Sequence, residues 1–411
     1  MKKHLLILIC LSVLFITCKK ESIFLSDKGT LPIIKITLEE KYLWSPDSGI
    51  YLLDDCFEKW EFPAIIEYSE NNKTIFNDSI GLRIKGEASR GKSMKSFGVY
   101  WREKYGKKKL EYQVFPNTIT SDFKRLFLRN SGNDFGKTHI KDASISMIYK
   151  DYANVEFQEY KPCVLYLNNE YWGIYNIREM MTPHHFDYHF NVNNNEVDLL
   201  ERSELVPEID NGSNEQWLDI INFIQNNDLS DNDNYNILYD MIDIDSYIDY
   251  IIIQTYICNT DWPINNVKWW RERTSVDYTK WRWIVFDTDR AFEKNNIGQV
   301  WLGDLYGNYY NENKKEGFYV FNNLINNSEF KIKFLERYLF FINTVFDKKR
   351  VENIILNNKE RIKIEYSNHQ IKWNTLDNNQ WSESIDEMIE FNNKRNDIMK
   401  EIIKNLQDEN N

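Results

Sequence analysis

Residues 259–290 read NTDWPINNVKWWRERTSVDYTKWRWIVFDTDR. Two runs within this stretch, 267–271 and 281–286, are aromatic and β-branched, and the polar segment 274–280 separates them. That pattern predicts a β-hairpin. Such a hairpin returns the loop that carries Asp261 to the side of the loop that carries Asp287 and Asp289, with Asn266 between them. Carboxylates and a carboxamide are hard oxygen ligands. They suit Mg²⁺, which takes one or two carboxylates and keeps positions for water and phosphate. An Asp, an Asn five residues on, a hairpin and a further Asp is also the order of groups that phosphoryl transfer to a hydroxyl requires. The first Asp receives the hydroxyl proton, and the Asn and the later Asp hold metal. By spacing alone, a polar loop and a tight turn flanking a hairpin describe the stretch at least as well.

The rest of the chain bounds these readings. Its 411 residues suffice for one large two-lobed domain or two domains. A hydrophobic content of 42% permits a sizeable core. The formal charge of −12 excludes a general nucleic-acid binder, which needs a basic face to displace counterions. Cys10, Cys18, Cys56, Cys163 and Cys258 form no CxxC pair. Neither a cysteine zinc site nor a disulfide framework is expected, while a single bridge among the last three stays open.

The chain starts with a leader-like segment. Lys2 and Lys3 precede an apolar run, 5–16, that is too short to span a bilayer. The run ends at Leu14-Phe15-Ile16-Thr17-Cys18, which resembles a bacterial lipobox. The expectation is a lipoprotein signal over residues 1–18, lipidated at Cys18, with a polar tether over 19–30. The alternative is an ordinary secretory signal. Acyl chains would hold an exported domain at a membrane, either the outer membrane or the cell surface.

Residues 31–38 (LPIIKITL) and 63–69 (PAIIEYS) read as strands. In 81–100 a strand at 82–85 runs into Gly86-Glu87-Ala88-Ser89-Arg90-Gly91, and a second strand begins near Lys95. Gly86 permits close backbone approach, and Ser89, Arg90 and nearby amides can face phosphate oxygens. A solvated hairpin turn is the plainer reading. Residues 137–150 read as a helix, and Asp142 on it is positioned to pair with Lys95. Asn168-Asn169-Glu170 separates two apolar runs within 162–179, a further hairpin, and Asn tolerates the positive φ of its turn. His184, His185 and His189 read as surface or capping histidines. A strongly apolar helix over 245–258, capped by Asp243 or Asp245, delivers the 259–261 loop. Residues 295–316 read as a loop and 318–411 as mainly helical.

Several of these motifs together resemble the CotH (spore-coat protein H) kinase family. They are N-x-D-W-x-x-N-N at 259–266, K-W-R-W-I-x-x-D-x-D at 280–289, Y-x-N-x-E-Y-W-G-I-Y-x-I-x-E at 166–179, G-x-x-S-R followed by K-S-F at 86–97, and L-x-L-R-N-x-x-x-D at 126–134. The resemblance implies an α+β, atypical protein-kinase-like fold. Its β-rich N-terminal lobe would cover 31–180 and its mainly helical C-terminal lobe 181–411, one domain of about 31–406. It implies ATP and Mg²⁺ as cofactors and transfer of the γ-phosphoryl group to a Ser or Thr hydroxyl of a protein. Asp261 and Asp287 would be catalytic. Asn266 (or Asn265), Asp287 and Asp289 would hold metal. Gly86, Ser89, Arg90 and Lys95 (or Lys92) would face the phosphates, and Glu179 would stand at the hinge against the nucleotide. Arg129 and Asp134 would be ion-pair partners first and phosphate-side residues second. The alternative is a catalytically silent surface module, binding glycan or a protein through its many Trp and Tyr residues.

Overall fold

The computed structural model describes residues 30–52, 60–116, 118–263, 265–274, 277–299 and 318–408. The leader, Cys18, Cys56 and most of the 295–316 segment lie outside these residues.

The fold is α+β. Seven strands close a barrel: β1 (Ile33–Thr37), β2 (Phe62–Glu70), β3 (Lys73–Lys85), β4 (Ser96–Tyr100), β7 (Arg125–Arg129), β8 (Tyr160–Leu167) and β9 (Glu170–Arg178), in the order β1-β2-β3-β4-β7-β9-β8. A two-stranded ribbon, β5 (Leu110–Glu111) and β6 (Asp122–Phe123), lies between β4 and β7 in the chain. The short helix α1 (Glu40–Trp44) follows β1. Neighbouring strands are antiparallel except at the closure, where β1 runs parallel to β8 with Ile33 opposite Val164. Alternate residues fill the interior: Ile34 and Ile36, Ile66 and Tyr68, Ile80 and Leu82, Phe97 and Val99, Leu126 and Leu128, Leu165 and Leu167, Tyr175 and Ile177. This is the period of two that a pleated strand imposes. On the opposite face Arg129 of β7 and Arg178 of β9 meet carboxylates of the second lobe.

That lobe is built round α6 (Ile244–Ile257), which is buried almost throughout. Before it come α2 (Lys141–Tyr149), α3 (Pro183–Phe190), α4 (Glu215–Asn226) and α5 (Asn232–Met241). Asp243 caps α6 by accepting from Ser246 N at 2.9 Å. Cys258 ends the helix with φ 52°. The buried Arg395 guanidinium donates to Thr255 O and Tyr256 O and so satisfies carbonyls of the last turn. The 259–290 stretch forms the expected hairpin, β12 (Lys268–Glu272) with β13 (Arg282–Trp283), in a sheet of order β11-β10-β12-β13 with β10 (Val197–Glu201) and β11 (Glu208–Asn211). Its alternation is strict. Trp269, Trp281, Trp283 and Val285 enter the large core around α6, while Trp270, Ile284 and Phe286 pack with Phe186 and Met181 on the other face.

Helix α2 starts at Lys141, four residues later than the sequence predicts. Buried Asp134 accepts from Thr138 N, Thr138 Oγ1 and Lys141 N, and His139 has φ 65°, so the chain turns before the helix can begin. Cys163 and Cys258 are both buried, and no disulfide joins them.

The C-terminal helices are α7 (Tyr319–Leu324), α8 (Ser328–Phe340), α9 (Lys348–Trp373) and α10 (Asn378–Asp408). They do more than cover the second lobe. The end of α9 reaches the barrel, where His369 Nδ1 accepts from Ile174 N at 3.1 Å and Trp373 Nε1 donates to Trp172 O at 2.8 Å. Gly173 lies between these bonds with φ 108°, and a Cβ there would stand 2.8 Å from both His369 Nδ1 and Trp373 Nε1. The glycine of the YWGIY motif is therefore where the helix touches the strand.

Burial holds His139 neutral, with its pKa lowered to about 4, and His369 packed against it is also lowered. In the unfolded chain each takes up a proton below about 6.5. The folded state then binds fewer protons than the unfolded one, so stability falls as pH drops from about 6.5 towards 4. Urea unfolding across this range should show a steeper acid loss in the wild type than in His139→Asn; equal slopes would remove His139 as the cause.

Candidate active site

Helix α6 delivers Asn259, whose buried carboxamide donates to Gln254 Oε1 at 3.2 Å and accepts from Asp261 N at 3.3 Å. The loop after α6 is stitched to the loop after β13: Phe292 N donates to Ile257 O at 3.0 Å and Thr260 N to Arg290 O at 3.4 Å. Side chains complete the junction. Arg290 Nη1 lies 2.8 Å from Asp261 Oδ1, and Asn266 Nδ2 donates to Asp287 O at 3.2 Å. Asn266 and Asp287 both have left-handed backbones, with φ 60° and 52°, a conformation Asn and Asp adopt more readily than other side chains. Asn265 is exposed and gives its backbone N–H to Asp261 O. The structure thus joins the two loops, with Asn266 beside Asp287 and Asp261 beside Arg290.

Arg129, from β7, enters this group from the barrel. Its Nη2 lies 2.5 Å from Asp287 Oδ1 and 2.7 Å from Asp289 Oδ2, and its Nε is 3.9 Å from Asp142 Oδ2. The two loop carboxylates then differ. Asp289 is almost wholly buried, with 2% side-chain exposure, and accepts also from Asn133 N and Nδ2. Gly132 makes room for it, since a Cβ there would come within 2.0 Å of Asp289 Oδ2. Burial, and the Asp287 charge beside it, push the Asp289 pKa up to about 7 against the pull of Arg129. Asp287 keeps 33% side-chain exposure and is the open carboxylate. A half-buried carboxylate beside a carboxamide is a donor set that fits Mg²⁺, whereas both Asp289 oxygens are occupied within the protein.

The expected pairing of Asp142 with Lys95 is not found. Asp142 lies 2.8 Å from Arg178 Nη1 and accepts from Thr288 N and Oγ1 at 2.9 and 3.0 Å. Burial would raise its pKa, but Arg178 and Arg129 hold it down at about 2. The reason is strand position. Arg129 on β7 and Arg178 on β9 face α2, whereas the Lys95 amine turns back to donate to Arg90 O.

Gly86, Ser89, Arg90 and Lys95 form one compact turn. Gly86 has φ 110°, and Ser89 Oγ occupies the place its Cβ would take. Arg90 Nε donates to Gly86 O at 2.6 Å. Tyr51 OH accepts from Lys95 N at 3.2 Å and from Trp172 Nε1 at 3.1 Å, and Tyr175 OH donates to Lys95 O at 2.8 Å. Sequence reading missed Tyr51 as the brace of this turn. It missed two further cations as well. Lys85 lies at the end of β3, and burial and the nearby Lys268 charge lower its pKa. Lys268 is paired with Asp210 at 2.7 Å and Glu201 at 2.9 Å, and its Nζ stands 5.8 Å from the ring centre of Phe286, which precedes Asp287. Their only sequence signal is position: Lys85 precedes Gly86 and Lys268 closely follows Asn266.

Glu179 follows β9, and its carboxylate is turned to α3. His189 Nε2 lies 2.7 Å from Glu179 Oε1, and Glu159 N donates to Oε2 at 3.3 Å. His185 is buried, and His189 is half-buried beside it. These two are not the surface or capping histidines the sequence predicts, because one face of α3 is closed against the end of β9. Burial opposes charge on His185, but Glu179 and Glu156 outweigh it and push the pKa up to about 9.

The barrel and the helical lobe make a two-lobed α+β protein. The sequence model of a family described as CotH kinase protein matches residues 82–399, and the chain belongs to that family. Among solved structures, the crystal structure of a Helicobacter pylori proinflammatory kinase, CtkA, matches 76% of this chain and 95% of its own, at 12% identity and a TM-score of 0.36. No curated protein matches the chain.

Replacing Arg129 by Met leaves buried carboxylates without their shared cation. The expected loss of stability is about 3–5 kcal/mol, read by urea unfolding at pH 8. A loss below about 1 kcal/mol would mean that the ion pairs contribute little to the fold.

Proposed function

We propose that the chain is an atypical protein kinase that transfers the γ-phosphoryl group of ATP, with Mg²⁺, to a Ser or Thr hydroxyl of a protein. The observation that supports this reading is the junction of two loops at Asp261, Asn266 and Asp287, with Arg129 fixing the Asp287 carboxylate. In this assignment Asp287 and the Asn266 carbonyl oxygen would hold Mg²⁺, which would supply positive charge against the charge that develops on the transferred group. Asp289 acts through Arg129 and Asn133, keeping the loop in place. Asp261 positions the acceptor hydroxyl and takes its proton, and Arg290 orients Asp261. The backbone of the 86–91 turn, with Ser89, Arg90 and Lys95, forms the phosphate side. Fixed dipoles and charges of this kind lower the barrier because they need no reorganisation during the reaction. Glu179 stands at the hinge between the lobes. Export on a lipid anchor at Cys18 would set the protein at a membrane surface.

Calorimetry of ATP in the presence of Mg²⁺ is the first test. The wild type should bind, and Asp287→Ala should bind at least about tenfold more weakly, a difference of about 1.4 kcal/mol. Absence of binding by the wild type would favour a surface-binding module without catalysis. Asp261→Ala should retain Mg²⁺-dependent ATP binding and the wild-type circular dichroism spectrum. Its phosphoryl transfer from labelled ATP should fall by about 10²–10⁴-fold, the usual contribution of a positioned base. Undiminished transfer would remove Asp261 from that role.

A further inference from the structure

A second constellation lies outside the loops at Asp287. Glu179, His185 and His189 offer one oxygen and two nitrogens that all lie within 4.8 Å of one another, the one such group among the described residues. The histidines are four residues apart on α3 and so share a helix face. The carboxylate comes from the residue after β9, so strand and helix meet at this point.

Hydrogen bonding leaves this group incomplete. His185 is 5% exposed, yet neither ring nitrogen has a hydrogen-bond partner. Its Nδ1 is 3.7 Å from Glu179 Oε1 and its Nε2 is 3.9 Å from Glu156 Oε2. Both distances are too long for a hydrogen bond. A buried neutral imidazole with no hydrogen bond at either nitrogen is costly. The first gap is close to the edge of a tetrahedron, about 3.3–3.5 Å, that ligand bonds of about 2.0–2.2 Å to zinc would create. The second gap fits the other half of such a site. Glu156 is anchored to the hairpin by Glu156 N to Trp283 O at 3.0 Å and Val285 N to Glu156 O at 2.9 Å. There it can accept from His185 Nε2–H, leaving the Nδ1 lone pair for a cation, as carboxylates behind metal-bound histidines do. Two carboxylates also balance the charge of a divalent ion.

We propose that Glu179, His185 and His189 bind a zinc-class divalent ion at the hinge between the barrel and the helical lobe, with Glu156 orienting His185. Two imidazoles and a carboxylate select zinc over Mg²⁺, which prefers oxygen alone. Three protein ligands leave the fourth position to water, and a small cavity bounded by Arg125, Thr182 and Tyr188 opens beside Glu179 and His185. The ion would tie the exit of β9 to the first helix after it, fixing the angle at which the lobes meet. The inference does not depend on the kinase reading.

The test is zinc titration of the full chain after chelator treatment, in competition with a chromophoric chelator. The wild type should take up one equivalent in the presence of excess Mg²⁺. His185→Gln and His189→Gln should bind at least about 100-fold more weakly, and Glu156→Gln about 10–100-fold more weakly. His184→Gln, whose ring lies outside the trio, should bind as the wild type does. Co²⁺ in place of zinc should give the visible spectrum of a four-coordinate site with nitrogen ligands, lost in His185→Gln. Asp287→Ala should keep its zinc, which separates this site from the Mg²⁺-ATP site. A folded wild type that takes up no zinc overturns the proposal, whatever the variants do. Equal uptake by the wild type, His185→Gln and His189→Gln places the ion elsewhere and also overturns it.

Discussion

One buried cation joins the two halves of this molecule. Arg129 leaves the barrel and meets Asp287 and Asp289 on the hairpin loop, with Asp142 of α2 behind it. Lysine would be a poor replacement, because a planar guanidinium can reach several carboxylates from fixed directions while an ammonium presents one compact charge. Without its partners the guanidinium would be an unpaired charge in the interior, and without it the carboxylates would repel one another. The arrangement therefore makes the barrel and the hairpin loop mutually dependent. It also divides labour between two aspartates two residues apart. One is sealed and serves the framework, and the other is left facing outward.

What the sequence made legible follows from period and turn chemistry. The aromatic and β-branched runs either side of 274–280 placed the hairpin, and their apolar residues enter either the α6 core or the opposite cluster. The Asn168-Asn169 turn was legible because both residues adopt positive φ, 48° and 66°. The first half of β3 was not, because Lys73, Thr74, Asn77 and Asp78 carry no apolar rhythm even though all pair with β2. The meeting of the loop after α6 with the loop after β13 was legible from the hairpin between them. The hold of Arg129 on Asp287 was not, since it spans 158 residues and depends on how the lobes dock. The same limit applies to Asp142. Its place on a helix was readable, but not the identity of the cation across from it. His185 and His189 were misjudged for a related reason, because sequence does not say which face of a short helix is covered.

The glycines of two motifs carry the most specific structural information. Gly132 admits the Asp289 carboxylate, and Gly173 admits the end of α9. In both, the missing side chain is the contact. Neighbouring motif letters, Arg129 in one case and Trp172 and Ile174 in the other, then bond across the same gap. Asn130 Oδ1 accepts from Gly132 N, so even the turn that offers Gly132 is held by its own motif.

The contact at Gly173 also constrains the order in which the chain can be assembled. Ile174 N waits for a ring nitrogen 195 residues further on, and Trp172 O for an indole 201 residues further on. While the polypeptide is being made, these groups of β9 lack their partners until α9 emerges. A barrel left in that state exposes backbone groups and aromatic surface on which a stray strand can settle. The first lobe in sequence is therefore not the first to be finished, and a nascent chain of this kind has reason to be escorted until its last helices arrive.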